Sequence, residues 1–148
     1  MRVVDANVLL NAVNLDAAEH AVARSWLEEA LNGREAVGFA WVVLLAFVRI
    51  TTRPGLLAAP LSPALAFGYV EEWLGQPPAI IVYPTGRHLG VLRGLLETVG
   101  TAGNLTTDAH LGALAVEHGA SIVSFDRDFG RFPGLRWHHP GDDGTIGR

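Results

Sequence analysis

Two residue types are missing from this chain of 148 residues: it has no cysteine, and all 11 of its basic residues are arginine, so it has no lysine. Without cysteine there is no disulfide, no thiolate metal site and no thiol nucleophile. Any metal must be held by oxygen or imidazole. Without lysine, a P-loop is excluded, because its Gly-rich turn needs a lysine for the phosphates. No G-x-G-x-x-G follows a predicted strand and no H-E-x-x-H is present, so dinucleotide binding and that zinc pattern have no support. No stretch approaches the ~20 apolar residues of a membrane span. The start, Met1-Arg2-Val3-Val4-Asp5, lacks the apolar run of a signal peptide, and the expected location is the cytoplasm. A net charge of −4 is not the strongly basic footprint of a nucleic-acid binder, although an acidic active site lowers the average.

Hydrophobic residues make up 49% of the chain, enough for one real core at this length. Residues 1–140 read as a single domain, and the Gly- and Asp-rich 141–148 as a flexible tail. Strands are expected at 2–4, 36–40, 79–83 and 121–124, with an edge strand at 135–137. Helices are expected at 7–13, 19–31, 41–52, 63–74, 87–99 and 106–118. Apolar spacing supports the second helix through Ala23, Trp26, Leu27, Ala30 and Leu31, with Gly33 as its stop. Ser62 before Pro63 predicts a capped helix start. Strands alternating with helices predict an α/β domain: a mostly parallel sheet of four to five strands, covered on both faces. Ligands of such sheets gather outside the carboxyl ends of the strands.

Four of the seven aspartates fall at that edge. Asp5 ends the first strand, Asp126 and Asp128 come after the strand at 121–124, and Asp108 opens a helix. Converging carboxylates without a basic partner repel one another, and a hard divalent cation offsets the repulsion. Each acid also has a structural reading. Asp5 suits a helix cap, Asp108 the favourable end of a helix dipole, and Asp126 and Asp128 side-chain turns. The joint placement carries the metal reading; no single member does.

Three segments resemble motifs of PIN-domain proteins: Val3-Val4-Asp5-Ala6-Asn7-Val8-Leu9-Leu10, Asn104-Leu105-Thr106-Thr107-Asp108-Ala109-His110-Leu111, and Ser124-Phe125-Asp126-Arg127-Asp128-Phe129 with Phe132-Pro133-Gly134-Leu135 beyond it. The chain is most similar to VapC toxins of bacterial toxin–antitoxin pairs, the mycobacterial set in particular. The resemblance implies a PIN-like three-layer α/β/α fold and a Mg²⁺- or Mn²⁺-dependent endoribonuclease acting on RNA. It also implies a VapB antitoxin partner and a homodimer or toxin–antitoxin hetero-oligomer. Asp5, Asp108 and Asp126 match the catalytic metal ligands, Asp128 is an added candidate, and Asn7, Thr106 and Thr107 match supporting polar positions. A phosphoacceptor or haloacid-dehalogenase-like domain also ends its first strand in Asp, but those families require the missing lysine.

One position departs from the family pattern. In Leu44-Leu45-Ala46-Phe47-Val48-Arg49, Ala46 stands where PIN domains carry a glutamate. The options are a subgroup feature, an engineered inactive variant or a naturally weak enzyme, and the last two feed an alternative reading as a non-catalytic binding module. Glu28, Glu29, Glu71, Glu72 and Glu117 read as helix-surface acids rather than replacements, and Glu97 is a remote candidate. Arg49, Arg53 and Arg127 are candidate contacts for RNA phosphates, each with a solvated role as the other reading. Thr106 is expected either to orient Asp108 or to cap its helix. The histidines at 20, 110, 118, 138 and 139 read as structural.

Overall fold

The computed structural model describes residues 1–142. In chain order it contains β1 (Arg2–Val4), α1 (Ala6–Val13), α2 (His20–Asn32), β2 (Val37–Phe39), α3 (Trp41–Thr52), α4 (Pro63–Leu74), β3 (Ala79–Ile81), α5 (His88–Val99), α6 (Thr106–Glu117), β4 (Ser121–Val123) and β5 (Trp137–His138). One-turn 3-10 helices occupy Gly103–Leu105 and Arg127–Arg131. The strands form one sheet in the order β3-β2-β1-β4-β5, and every pairing is parallel.

This order explains where the site lies. From β1 the chain steps outward to β2 and β3, then crosses back to lay β4 on the other side of β1. With right-handed crossovers, helices of the outward steps and helices of the return cover opposite faces. Thus α1 packs on α2 and α3, and α3 on α4, while α5 packs on α6, which also touches β1 and β4. The direction of winding reverses between β1 and β4, which is where a crevice opens at the carboxyl ends.

The inner strands β1, β2 and β4 are short and buried on both faces, as parallel strands between helix layers must be. Val3, Val4, Val37, Phe39, Ile122 and Val123 have no exposed surface. Between α3 and α4, Phe47 meets the Trp73 ring edge-on at 4.9 Å. Ser62 caps α4 as expected, its Oγ accepting from the Leu65 amide at 3.2 Å. At the end of α3, the Thr51 and Thr52 hydroxyls donate back to the Phe47 and Val48 carbonyls at 2.8 and 2.7 Å. Arg53 then turns extended (φ −100°, ψ 155°), as a residue before proline must.

The edge strand starts two residues later than its expected position at 135–137 and ends one residue later. Gly134 takes a left-handed φ of +80° to close the preceding turn, and pairing starts at Trp137. Leu135 instead packs on α6, its Cδ2 3.1 Å from where a Cβ on Gly112 would stand. The expected loop at 126–134 is anchored by Phe129 and Phe132, both buried. The expected tail begins as a turn, with the Asp142 amide donating to the His139 carbonyl at 2.9 Å. Residues 143–148 lie outside the described part. No described helix is long and apolar enough to cross a membrane.

Gly38 sits in the middle of β2, where a Cβ would lie 2.6 Å from Val82 Cγ2 and 3.2 Å from Val3 Cγ2. Gly38→Ala is expected to cost about 1–3 kcal/mol through overpacking. Gly68, on an exposed stretch of α4 with nothing within 4 Å of that position, is the contrast. Gly68→Ala is expected to add roughly 0.5–1 kcal/mol. Urea unfolding midpoints check both, and equal effects would refute the packing account.

Candidate active site

The parallel register pairs Arg2 with Ser121, Val3 with Ile122 and Val4 with Val123, so the next residues along, Asp5 and Ser124, arrive side by side. The Asp5 amide continues the ladder, donating to the Val123 carbonyl at 3.0 Å. The Asp5 carboxylate does two things at once. Oδ1 caps α1 by accepting from the Ala6 amide at 2.7 Å, and Oδ2 accepts from Ser124 Oγ at 2.6 Å. Having given its proton to Asp5, Ser124 Oγ accepts from Asn7 Nδ2 and from the Asp126 amide, each at 2.9 Å. Asn7 Oδ1 accepts from the Phe125 amide at 3.1 Å. Ser124 is fully buried, so this one hydroxyl ties the start of α1 to the chain leaving β4.

Asp126 Oδ1 accepts from the Asp128 amide at 2.9 Å and opens the 3-10 helix. The turn reading of Asp126 is therefore correct, as is the capping reading of Asp5, and neither displaces the electrostatic one. Asp108 is the third residue of α6 and half-buried. Burial is the main cause that pushes its carboxyl up to about 6, and Asp5, Asp126 and Asp128 add to the rise. Burial also raises Asp5, against the hydrogen bonds from Ser124 and Ala6, with Asp126 contributing. Asp108 thus feels Asp5, Asp126 and Asp128, and Asp5 feels Asp126. No arginine or histidine among the described residues pairs with any of them.

Such a set offers only oxygen donors, which suits a hard cation. Among the described residues, no three acidic or imidazole groups converge tightly enough to enclose an ion. Magnesium needs fewer, since it keeps several waters and takes one or two carboxylates. The residues present therefore fit Mg²⁺ or Mn²⁺ held partly through water.

The remaining candidates divide. Asn7 is in the network. Thr106 and Thr107 are exposed at the start of α6, whose cap residue is Leu105, and neither hydroxyl makes a protein hydrogen bond. The expected orienting or capping role of Thr106 is not made. Arg127 is exposed between Asp126 and Asp128. Arg49 lies in the last turn of α3 and Arg53 follows as its C-cap. They lie eight and twelve residues beyond Trp41, roughly 12 and 18 Å along the axis at 1.5 Å per residue. Ala46 is half-buried on α3. Glu97 pairs with Arg93 at 2.7 Å on an exposed face of α5, so it supplies no substitute. Glu28, Glu29, Glu71 and Glu72 are exposed as expected, but Glu117 is not: its side chain is wholly buried, because its α6 position faces the chain entering α5.

Sequence reasoning missed Ser124 as a site residue. Its place, opposite Asp5 in register and two residues before Asp126, follows only once the pairing of β1 with β4 is known. Ser124→Ala leaves the Asn7 side chain and the Asp126 amide without their acceptor and Asp5 without its donor. A loss of about 1–3 kcal/mol is expected for each buried group left unpaired, read from urea unfolding. A wild-type midpoint would remove Ser124 from the network's support.

Comparison with known proteins places this geometry. The PIN domain family matches residues 2–135. Ribonuclease VapC37 of Mycobacterium tuberculosis is 55% identical over 140 residues, 95% of this chain and 97% of that protein. Ribonuclease VapC33 of the same species is 42% identical, over 95% and 98%. Among solved structures, VapBC2 from Rickettsia felis bound to a promoter DNA fragment matches with a TM-score of 0.67 at 15% identity, over 93% of this chain and 97% of that one. VapBC from Salmonella typhimurium bound to DNA matches with a TM-score of 0.67 at 17% identity, over 94% and 97%. The family match spans nearly the whole sheet and all six helices, and the chain belongs to the PIN-domain family.

Proposed function

We propose that this protein is a metal-dependent endoribonuclease, the toxin of a toxin–antitoxin pair, that hydrolyses RNA at the crevice between β1 and β4. The observation that carries the reading is that Asp108 lies within electrostatic reach of Asp5, Asp126 and Asp128, and none of the four has a salt-bridge partner among the described residues. The relatives named as ribonucleases supply the reaction class, and the VapBC complexes supply the kind of partner, a VapB-type antitoxin. A cytoplasmic location and a homodimer or toxin–antitoxin hetero-oligomer go with that reading.

Asp5, Asp108 and Asp126 would hold Mg²⁺ or Mn²⁺, with Asp128 as a fourth oxygen donor. When bound, the ion lowers the pKa of a water and offsets charge on the scissile phosphate. Ser124 and Asn7 fix the Asp5 carboxylate and the Asp126 backbone before substrate arrives. Hydrolysis forms a bond from water oxygen to phosphorus and breaks one ester bond in line, without a covalent protein intermediate. Arg127, exposed between Asp126 and Asp128, would meet a flanking phosphate, with Arg49 and Arg53 as the other candidates.

Cleavage of structured RNA in Mg²⁺ or Mn²⁺ should stop in EDTA, and equal cleavage there would sink the mechanism. The pH behaviour has a definite sign. The folded state holds the Asp108 proton up to about pH 6, whereas an unfolded aspartate releases it near 4. Stability of the metal-free protein therefore falls as pH rises through that window. Asp108→Asn should raise the metal-free Tm at pH 7 and lose its advantage near pH 4. With saturating Mg²⁺ the wild type should become the more stable, because the ion binds only the folded carboxylates. An Asp108→Asn protein with no gain at pH 7 would contradict this.

Ala46 supports the second reading, a binding module with little catalysis. Ala46→Glu should raise Mn²⁺ affinity if the position faces the crevice. A wild type with no Mg²⁺ or Mn²⁺ affinity at millimolar concentration would favour the module.

A further inference from the structure

Away from the acidic crevice, a second polar chain runs between α5 and α6. Glu117 Oε1 accepts from the Thr85 amide at 3.0 Å and from its hydroxyl at 2.6 Å. Oε2 faces His88 Nδ1 at 2.5 Å, and His88 Nε2 meets His110 Nδ1 at 2.8 Å. The two imidazoles meet edge to face. Burial opposes ionisation of Glu117, but the bonds from Thr85 and His88 hold its carboxyl below the usual range. A carboxylate only accepts, so Nδ1 of His88 donates to it. In the neutral chain Nε2 of His88 then accepts from His110 Nδ1, and each tautomer is fixed in turn.

We infer that Glu117 and His88 are positioning residues for the acidic crevice: through His110 they set the rotation and register of α6, and with them the place of Asp108. This rests on the reading of Asp108 as a metal ligand. Glu117 and His110 are seven residues apart, so they share one helix face two turns apart, and His88 braces both. Asp108 lies two residues before His110, about 200° round the axis. A twist of α6 at His110 therefore swings Asp108 relative to Asp5 and Asp126.

The start of α6 has few other polar restraints. It has no side-chain cap, Thr106 and Thr107 are unbonded, and the approach bends at Gly100 and Gly103, both at left-handed φ (+81° and +51°). A wholly buried carboxylate is a costly way to hold two helices together, and an apolar residue of similar volume would often serve stability as well or better. What this chain adds is direction: its hydrogen bonds fit one relative orientation of α5 and α6.

The test uses Mn²⁺ binding, monitored by electron paramagnetic resonance, and amide hydrogen exchange at residues 107–111 of the metal-free protein. His88→Ala should weaken Mn²⁺ binding about 10-fold, the low end of what outer partners of a metal site cost, and speed that exchange. His110→Ala cuts the chain at its half-exposed end, leaves the Glu117–His88 pair in place, and should do the same. Glu117→Ala should also weaken binding. Glu117→Gln should recover most of that loss, since the amide still bonds to Thr85 and His88. Arg87→Ala removes only a 3.0 Å bond to the Glu117 carbonyl at the same corner. It should lower stability and leave Mn²⁺ affinity alone. Folded His88→Ala and His110→Ala proteins with wild-type Mn²⁺ affinity and exchange would overturn the proposal. A wild type that binds no Mn²⁺ would remove the metal reading, while the exchange rates would still decide whether the chain orders α6.

Discussion

The pairing of β1 with β4 governs this molecule, because it joins residues from the two ends of the chain and aligns the positions just beyond both strands. Three residues of each strand are in register, and the fourth residues, Asp5 and Ser124, meet by necessity. From that meeting come the Asn7 contact, the direction of the Asp126 amide and the turn that carries Asp128. Each strand is only three residues long, so most of the holding is done by the apolar core on both faces and by one buried hydroxyl.

The crevice stores an electrostatic cost. Elsewhere several charges are paired: Glu35 with Arg2 and the N-terminus, Glu28 with Arg24, Glu97 with Arg93. At the carboxyl end of β1 and β4 they are not, and the fold half-buries Asp5 and Asp108 besides. An arrangement that raises carboxyl groups above their ordinary range is costly to maintain without a ligand. The rest of the core tolerates that cost, which is how functional sites commonly depart from the pattern around them.

The sheet, the six helices and the positions of Asp5 and Asp126 just beyond β1 and β4 were legible in the sequence for different reasons. Buried strands and amphipathic helices leave periodic traces, and parallel topology then gathers strand-end residues by geometry alone. Ser124 was not legible, since a serine after Ser121-Ile122-Val123 carries no mark of its three partners. Glu117 was misread because helical spacing places it on a face without saying which face is covered. His88 belongs to the same blind spot: its partners lie 22 and 29 residues away, and local pattern is silent about contacts at that range. The edge strand starts two residues late because the turn at Gly134 runs on before pairing begins.

The hydroxyl of Ser124 and the carboxylate of Asp5 are separated by 119 positions along the chain. Contacts of such sequence separation form late, because the entropy of closing the loop must be met before the contact returns anything. A chain emerging from synthesis carries Asp5 from the start, yet Asp108, Ser124 and Asp126 arrive only when most of the domain has been made. A destructive centre divided in this way is incomplete in any fragment that stops before Ser124, and a product that stops before Asp108 carries Asp5 alone of the four acids. Completion of the fold is then the condition for assembling the crevice at all.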